Sequence, residues 1–331
     1  MYVLSLSYGN PLAIIHGGEL DNEIIYLKDL DKKCCKKHGG ACKVARKKCC
    51  NSCACHPEEK DIPANHIDWM PFFSKWKKYK KIQMIEKMQD HFENDTEPIE
   101  EDELEIYMKI KQLNESLTDV KINGGRIQQL PNMEINEDKT RKRDTIVYFA
   151  QAGAGKSYQI KNYCQEYMKI YPKHHIYVFS PHKTDAYDGI KNLVKIVVNE
   201  DLIKDGIDIE EVKDSVVILD DCDSITDKKT NEFIWKFREH LLTNSRHTNT
   251  NLLITSHVLM TGGNKNKTLL QELTHLYVFP QNNPNIDRLL TVYVGLSNME
   301  IKRIKALKSR WVCISKNIPK LIMYESGLYL L

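Results

Sequence analysis

Long hydrophobic runs and a strong net charge are both missing from this sequence. A transmembrane helix needs about 20 consecutive, mostly apolar residues, and no apolar run approaches that length. We therefore expect no membrane contact. The 48 lysines and arginines nearly balance the 45 aspartates and glutamates, so the formal net charge is only +3. This balance excludes a global positive field, and any affinity for nucleic acid has to come from local patches.

A secretory signal is also missing, because Met1–Ser5 has neither a basic leader nor the start of a long apolar core. We expect an intracellular protein in a reducing compartment that is not secreted. The ten cysteines are unevenly placed, and seven of them lie between Cys34 and Cys55. In reducing surroundings such crowding indicates metal binding before disulfides.

The composition changes near residue 140, where we predict a domain boundary. We interpret residues 1–140 as a small α+β accessory region with a cysteine-rich insertion, and residues 141–331 as the main domain. In chain order, the accessory region contains predicted strands at Met1–Tyr8 and Glu23–Leu27, a cysteine- and lysine-rich tract at 32–56, an amphipathic helix at about 68–92 and an acidic linker at 93–105.

The main domain is regular, because apolar runs typical of strands alternate with stretches typical of helices. The predicted strands are Thr145–Ala150, Ile176–Ser180, Leu193–Val198, Val216–Leu219, Leu252–Thr255, Leu276–Phe279, Trp311–Ser315 and Leu321–Tyr324. Helices are predicted at Lys156–Tyr171 and Asn231–Leu242. Strands that alternate with helices predict an α/β fold in which a mostly parallel sheet lies between helices.

A glycine-containing loop joins the first of these strands to the first helix. Gly153 and Gly155 permit the backbone angles and the close approach that a phosphate cradle requires, and the helix N-terminus adds partial positive charge. Ala150 stands where the usual pattern has its first glycine. The pattern indicates the phosphate loop of a P-loop NTPase. The residues expected to bind ATP are Ala152, Gly153, Ala154, Gly155, Lys156, Ser157 and Tyr158.

This interpretation assigns a specific role to Lys156 and another to Ser157. We expect Lys156 to reach the β- and γ-phosphates as a catalytic residue, and the hydroxyl of Ser157 to bind Mg²⁺. A second anchor is Asp220-Asp221, which follows the apolar strand Val216–Leu219. We expect Asp220 to hold Mg²⁺ and Asp221 to orient or deprotonate the attacking water. The alternative is a solvated acidic turn, since further aspartates follow.

Two further candidates lie downstream. Strand Leu252–Thr255 ends in a polar tip, and its Thr255, Ser256 or His257 is a candidate sensor of the γ-phosphate; we include His257 among the catalytic residues. The alternative is a histidine bonded to loop backbone. Arg246 is a candidate arginine finger, acting in cis or across a subunit interface, because a guanidinium stays charged and can bind phosphate bidentately. Arg238, Arg288 and Arg310 compete for that role, and a surface or helix-capping arginine is the plain alternative.

The order of these segments resembles that of the poxvirus-type genome-packaging ATPases of the FtsK–HerA superfamily, over roughly Arg143–Leu331. The matching segments are Gly153–Ser157, Asp220-Asp221, Arg246-His247, Thr255-Ser256-His257, Phe279-Pro280 and Leu307–Val312. The resemblance implies an extra strand between the phosphate-loop strand and the acidic strand. It also implies a ring-like homo-oligomer that drives double-stranded DNA into a capsid, with capsid or portal proteins as partners, in the host cytoplasm or the virion.

The cysteine-rich tract lies outside that resemblance. Cys35-x₂-His38 and Cys50-x₂-Cys53 are one pair of knuckles that would close a tetrahedral Zn²⁺ site, although other partitions also fit. Eight basic residues and no acidic residue lie in 32–56, so the tract could contact DNA phosphates. The alternative is a basic insertion whose cysteines bind nothing in particular.

These readings predict a Mg²⁺-dependent ATPase that converts ATP and water to ADP and phosphate and translocates DNA. Two other classes stay open. The chain could be a different P-loop enzyme, such as a replicative helicase or a small-molecule kinase, or a nucleotide-gated scaffold that binds nucleic acid without turnover. The adjacent carboxylates Asp220 and Asp221 argue for turnover.

Overall fold

The structure, a computed structural model, describes residues 2–6, 10–29, 118–132, 143–245, 247–257, 266–281 and 286–331. The predicted cysteine-rich tract, the helix at about 68–92, the acidic linker and Arg246 lie outside these residues. Across the described ranges, no helix is long and apolar enough to cross a membrane.

Fourteen strands and six α-helices are found in the described ranges. The strands are β1 (Tyr2–Ser5), β2 (Asn10–His16), β3 (Ile24–Asp29), β4 (Asp119–Lys121), β5 (Arg126–Gln129), β6 (Thr145–Phe149), β7 (His175–Ser180), β8 (Leu193–Val197), β9 (Ser215–Leu219), β10 (Asn251–Ser256), β11 (His275–Val278), β12 (Val312–Ser315), β13 (Leu321–Tyr324) and β14 (Gly327–Leu330). The helices are α1 (Lys156–Ile170), α2 (Glu200–Asp205), α3 (Lys228–Asn244), α4 (Lys267–Glu272), α5 (Ile286–Leu289) and α6 (Asn298–Ala306).

A ten-stranded sheet organises the chain, in the order β4-β14-β13-β12-β11-β6-β10-β9-β7-β8. The six strands from β11 to β8 run parallel to one another. The other four continue the sheet in antiparallel fashion beyond β11. The predicted α/β class, with a mostly parallel sheet between helices, is confirmed.

Strand β10 lies between β6 and β9. It pairs in parallel with β6, so that Thr255 lies opposite Tyr148, and with β9, so that Ile254 lies opposite Leu219. All six of its residues are buried, which explains the unbroken apolar run in the sequence. The extra strand that the family resemblance implies is therefore present, and its polar tip lies between the ends of the other two strands.

The two faces of this sheet bury different partners, because side chains alternate along each strand. Val147 and Phe149 of β6 belong to a core cluster that includes residues of α3, α4, α5 and α6. Ile146 and Tyr148 belong to a second cluster that includes residues of α1. Helices therefore cover the sheet on both sides, as a parallel sheet requires.

A second, four-stranded antiparallel sheet has the order β1-β3-β2-β5. Its buried residues Leu4, Ile15, Ile25 and Ile127 belong to the same core cluster as α1. The sequence predicts β1 and β3 at nearly these positions, but it does not predict β2 or β5, nor strands β4 and β14 of the large sheet. The predicted domain boundary near residue 140 stays a prediction.

Candidate active site

The loop between β6 and α1 has the backbone that a phosphate cradle needs. Gly153 has a φ of 76° and Gly155 a φ of 99°, which are left-handed values that favour glycine. A Cβ at either position would meet no atom within 4 Å, so the space beside the loop is open. No side chain caps the start of α1 at Gly155. The first amides of a 15-residue helix therefore face an open space suited to an anion.

Lys156 lies in the centre of this loop and is only 7% exposed. Its Nζ donates to the carbonyl oxygens of Ala150 at 3.0 Å and Gln151 at 3.2 Å. Burial lowers the pKa of Lys156, while the carboxylates of Asp221, Asp223 and Asp220 act in the opposite direction. Ala150, where the usual pattern has glycine, is accommodated because its methyl group is buried in the core and its carbonyl faces the lysine.

The acidic pair, Asp220 and Asp221, emerges at the end of β9 and is held from both sides. The backbone N–H of Asp220 donates to the carbonyl of Phe179 at 2.9 Å. The hydroxyl of Thr255 lies 3.1 Å from a carboxylate oxygen of each aspartate. It also accepts from the N–H of Asp221 at 2.7 Å. The tip of β10 thus sets the orientation of both carboxylates.

His257 connects the acidic pair to the phosphate loop. Its Nε2 lies 3.0 Å from Oδ1 of Asp221, and both ring nitrogens lie 3.4 Å from Nζ of Lys156. Asp221 has a φ of 51°, a left-handed conformation that costs energy for most residues but that aspartate tolerates. The predicted residues from the loop, β9 and β10 therefore meet in one group, here named the central cluster: Lys156, Asp220, Asp221, Thr255 and His257.

Comparison with known proteins identifies a viral relative of this chain. No family model matches the chain. Uncharacterized protein V3 of the Sputnik virophage is 31% identical over 187 residues, which cover 56% of this chain and 76% of V3. The chain belongs to the family of V3. The viral relationship that the motif order predicts is therefore confirmed.

Several solved structures are also similar to this V3-family chain. The genome packaging NTPase B204 from Sulfolobus turreted icosahedral virus 2, in complex with ATP-gammaS, has 16% identity and a TM-score of 0.38 over 56% of this chain and 98% of B204. The cytoplasmic domain of the Type VII secretion ATPase EccC from Thermomonospora curvata has 11% identity and a TM-score of 0.39, over 64% of this chain and 29% of that chain.

Three further candidate residues lie outside the central cluster. Tyr158 is 46% exposed on the first turn of α1, and its hydroxyl accepts from the guanidinium of Arg126 at 2.5 Å. Among the competing arginines, Arg310 pairs with Glu325 at 2.7 Å. Arg238 donates to Asn266 at 3.2 Å. The finger role of Arg246 stays a prediction.

The sequence does not predict Asp223 as part of the site, yet the structure places it there. Its Oδ2 accepts from the backbone N–H of His257 at 2.7 Å and lies 3.2 Å from the hydroxyl of Ser256. It stabilises the tip of β10 on the acidic side. Asp221, Asp223 and His257 also each offer a ligand atom within 4.8 Å of the others, so a metal ion could bind them together. An aspartate in an acidic turn gave no signal that distinguished it from a solvated residue.

The burial of the Asp220 carboxylate lowers the stability of the folded protein. It is 6% exposed, and burial raises its pKa above the usual value, an effect to which the charge of Asp221 adds. The hydroxyls of Tyr187 and Thr255 and the charge of Lys156 act in the opposite direction but do not cancel it. Because the folded-state pKa is raised, ionisation of Asp220 lowers stability as the pH rises through that pKa, and the loss persists at neutral pH.

Replacing Asp220 by asparagine should therefore raise the unfolding temperature of the nucleotide-free protein by a few degrees at pH 7, since the buried charge is removed while the shape is kept. Thermal denaturation followed by circular dichroism would measure this. The difference from the parent protein should shrink as the pH falls and Asp220 itself becomes protonated. A variant several degrees less stable than the parent at pH 7 would contradict the argument.

Proposed function

We propose that this protein is a Mg²⁺-dependent ATPase that drives double-stranded DNA into viral capsids. The observation that carries the proposal is the central cluster. In this cluster, Nζ of Lys156 from the phosphate loop lies 3.4 Å from the ring of His257, and Nε2 of His257 lies 3.0 Å from Asp221. Asp221 follows β9, which lies two positions from β6 in the large sheet. This combination suits hydrolysis of a phosphoanhydride rather than simple nucleotide binding.

The donor atoms beside the phosphate loop suit magnesium. Ser157 offers a hydroxyl and Asp220 a carboxylate, and Mg²⁺ prefers such hard oxygen ligands together with phosphate oxygens. A bound Mg²⁺ ion would neutralise negative charge that builds up between the β- and γ-phosphates. The residues present therefore fit the ion that the P-loop pattern implies.

The protein's own groups account for the remaining chemistry. The amides at the start of α1 and the ammonium of Lys156 bind the phosphate oxygens and stabilise the charge of the transition state. Asp221 lies beside the attacking water and aligns or deprotonates it. His257 and Thr255 hold the Asp221 carboxylate in place, through the 3.0 Å and 3.1 Å contacts. The tip of β10 contacts both the lysine and the acidic pair, which suits it to sense the γ-phosphate.

The DNA-packaging part of the proposal rests on the motif order and on the virophage relative V3. In this proposal the subunits form a homo-oligomeric ring around DNA, and Arg246 completes the site of a neighbouring subunit. Capsid or portal proteins anchor the ring, in the host cytoplasm or on the virion. The basic tract at 32–56 contacts DNA phosphates, with Zn²⁺ bound by a set of its cysteines and histidines.

Stimulation of ATP hydrolysis by duplex DNA tests the proposed function. We expect the purified 331-residue chain to release phosphate several-fold faster with duplex DNA than without it, and the stimulation to weaken as salt rises, because phosphate contacts depend on counterion release. Phosphate release should be measured with duplex DNA, with single-stranded DNA and without DNA, across a range of salt concentrations.

The other outcomes identify the rival functions. Turnover without any stimulation by duplex DNA at any salt concentration would contradict a DNA motor. A preference for single-stranded DNA with strand separation would indicate a helicase, and transfer of phosphate to an acceptor without phosphate release would indicate a kinase. Nucleotide binding without turnover would indicate a scaffold.

A further inference from the structure

Next to the phosphate loop, on the side away from the central cluster, the large sheet ends in residues that the mechanism above does not use. Strands β11, β12 and β13 continue the sheet beyond β6 on this side. Their ends are in register at one edge, where Phe149 of β6 is followed across the sheet by Val278, Val312 and Tyr324. In the proposed mechanism the γ-phosphate lies at the central cluster. The base and ribose of the same nucleotide therefore leave the loop toward these strand ends.

Tyr158 offers an aromatic surface beside the loop. It lies in the first turn of α1, two residues after Lys156, and it is 46% exposed. Its hydroxyl accepts from Nη1 of Arg126 at 2.5 Å, and the guanidinium carbon lies 5.9 Å from the centre of the ring. This hydrogen bond fixes the orientation of the ring and leaves much of the side chain accessible. An accessible aromatic ring beside a phosphate loop suits stacking of a nucleobase, because every base has a π-face.

Two arginines are anchored at this edge through Glu325, the residue that follows β13. Arg126 begins β5 of the small sheet, and the N–H of its neighbour Ile127 donates to the carbonyl of Glu325 at 2.8 Å. The Glu325 carboxylate accepts from the backbone N–H of Arg310 at 2.9 Å and from its Nε at 2.7 Å. Arg310 lies two residues before β12, and its side chain is 75% exposed. Both guanidinium groups are therefore held where the nucleoside leaves the loop.

We propose that Tyr158, Arg126 and Arg310 form the subsite for the base and ribose of the nucleotide, with the base stacked on the Tyr158 ring. The proposal rests on the proposed ATPase function and adds the part of the site that holds the nucleoside. Arg126 positions the ring through the tyrosine hydroxyl, and Arg310, held by Glu325, donates to the ribose hydroxyls through its terminal N–H groups. Because Arg126 belongs to β5, the small sheet contributes directly to nucleotide binding.

Comparing ATP with inorganic tripolyphosphate tests the proposal, because tripolyphosphate keeps the three phosphates and lacks the nucleoside. In Tyr158→Ala we expect the Kd for ATP to rise about tenfold through the loss of stacking, and the Kd for tripolyphosphate to stay as in the parent. GTP should lose as much affinity as ATP, since any base can use the ring face. Tyr158→Phe keeps the ring and should bind ATP nearly as tightly as the parent. Isothermal titration calorimetry in the presence of Mg²⁺ would measure these affinities.

Arg126→Ala is a second variant that keeps the proposal testable if Tyr158→Ala does not fold. It should also bind ATP more weakly and tripolyphosphate as the parent does. The matched control is Arg303→Ala, because Arg303 likewise lies over a tyrosine ring, 3.6 Å from the centre of Tyr329, but pairs with Asp119 on the edge strand β4. This control should leave the affinities for both ligands unchanged.

The remaining outcomes separate the subsite from the ATPase function. Parent-like binding of ATP in a folded Tyr158→Ala variant would overturn the subsite, and so would equal losses of affinity for ATP and tripolyphosphate, which would indicate damage to the phosphate loop. An equally large loss in Tyr158→Phe would also overturn it, because the ring would then not be the binding surface. If only Arg126→Ala can be measured, parent-like ATP binding has the same meaning. A parent protein that binds neither ligand would instead refute the proposed function itself.

Discussion

Replacing Lys156 by alanine should lower the rate of ATP hydrolysis by at least about 100-fold, because the substitution removes the buried cation that binds the phosphates in the proposed mechanism. Nζ of Lys156 lies beside the loop carbonyls of Ala150 and Gln151 and near His257. Few groups could replace it, since the lysine is 7% exposed and water has little access. Nucleotide affinity should fall as well, because in the proposed mechanism the ammonium also contacts the phosphates of bound ATP before the reaction. Phosphate release and fluorescent-nucleotide binding would measure the two effects.

The control for this prediction is Lys169→Ala, in the last turn of the same helix. Lys169 is exposed and pairs with Glu166 at 2.7 Å, so its loss should leave hydrolysis unchanged. Both variants should fold, which thermal denaturation would show. If Lys156→Ala keeps parent-like affinity and turnover, the phosphate loop does not bind the triphosphate and the motor proposal fails.

Replacing Asp221 by asparagine should abolish most turnover while ATP binding persists. Loss of a general base typically costs about 10²- to 10⁴-fold in rate, and an amide cannot accept a proton from water. The backbone should be preserved, because asparagine tolerates the left-handed φ of 51° at this position. The amide oxygen can still meet Thr255, which lies 3.1 Å from Oδ1. Steady-state phosphate release, measured beside nucleotide affinity, separates the two properties.

A matched control is Asp201→Asn on α2, where the side chain is exposed and pairs with Lys204 at 3.0 Å. This variant should hydrolyse ATP like the parent. Asp221→Ala is a weaker test, since alanine is strained at a left-handed position and its effect would mix folding with chemistry. Parent-like turnover in Asp221→Asn would remove the general base from the mechanism. A parent with no turnover to lose would favour the nucleotide-gated scaffold.

The parallel part of the sheet was predictable because its strands are buried on both faces. Such strands read as unbroken apolar runs, as in Val216–Leu219 and Leu252–Thr255. The structure extends the first by one residue at its N-terminal end and the second by one residue at each end. The phosphate loop and the acidic pair were found for a related reason. Their chemistry needs particular residue types at the ends of such strands. Because β6 and β9 lie on either side of β10 in the sheet, the fold then brings the loop and the acidic pair together.

The small sheet was harder to predict because its strands carry polar residues into the core. Strand β5 reads Arg-Ile-Gln-Gln, yet Gln129 is 2% exposed and its amide oxygen accepts from the hydroxyl of Tyr277 at 3.0 Å. Tyr277 lies 148 positions away in the sequence, so no local pattern predicts this contact.

The pairing of β14 with β4 has a consequence for synthesis of the protein. Within the described ranges, strand β4 joins the large sheet only through β14, and its own Asp119 pairs with Arg303 at 2.7 Å. The two strands are separated by about 200 residues, which a ribosome makes in on the order of 10 to 40 s at about 5–20 residues per second. The segment around Val120 is therefore made well before its native neighbour, and it stays unpaired while residues 122–326 are translated. Chaperones that shield exposed strands have that interval in which to act.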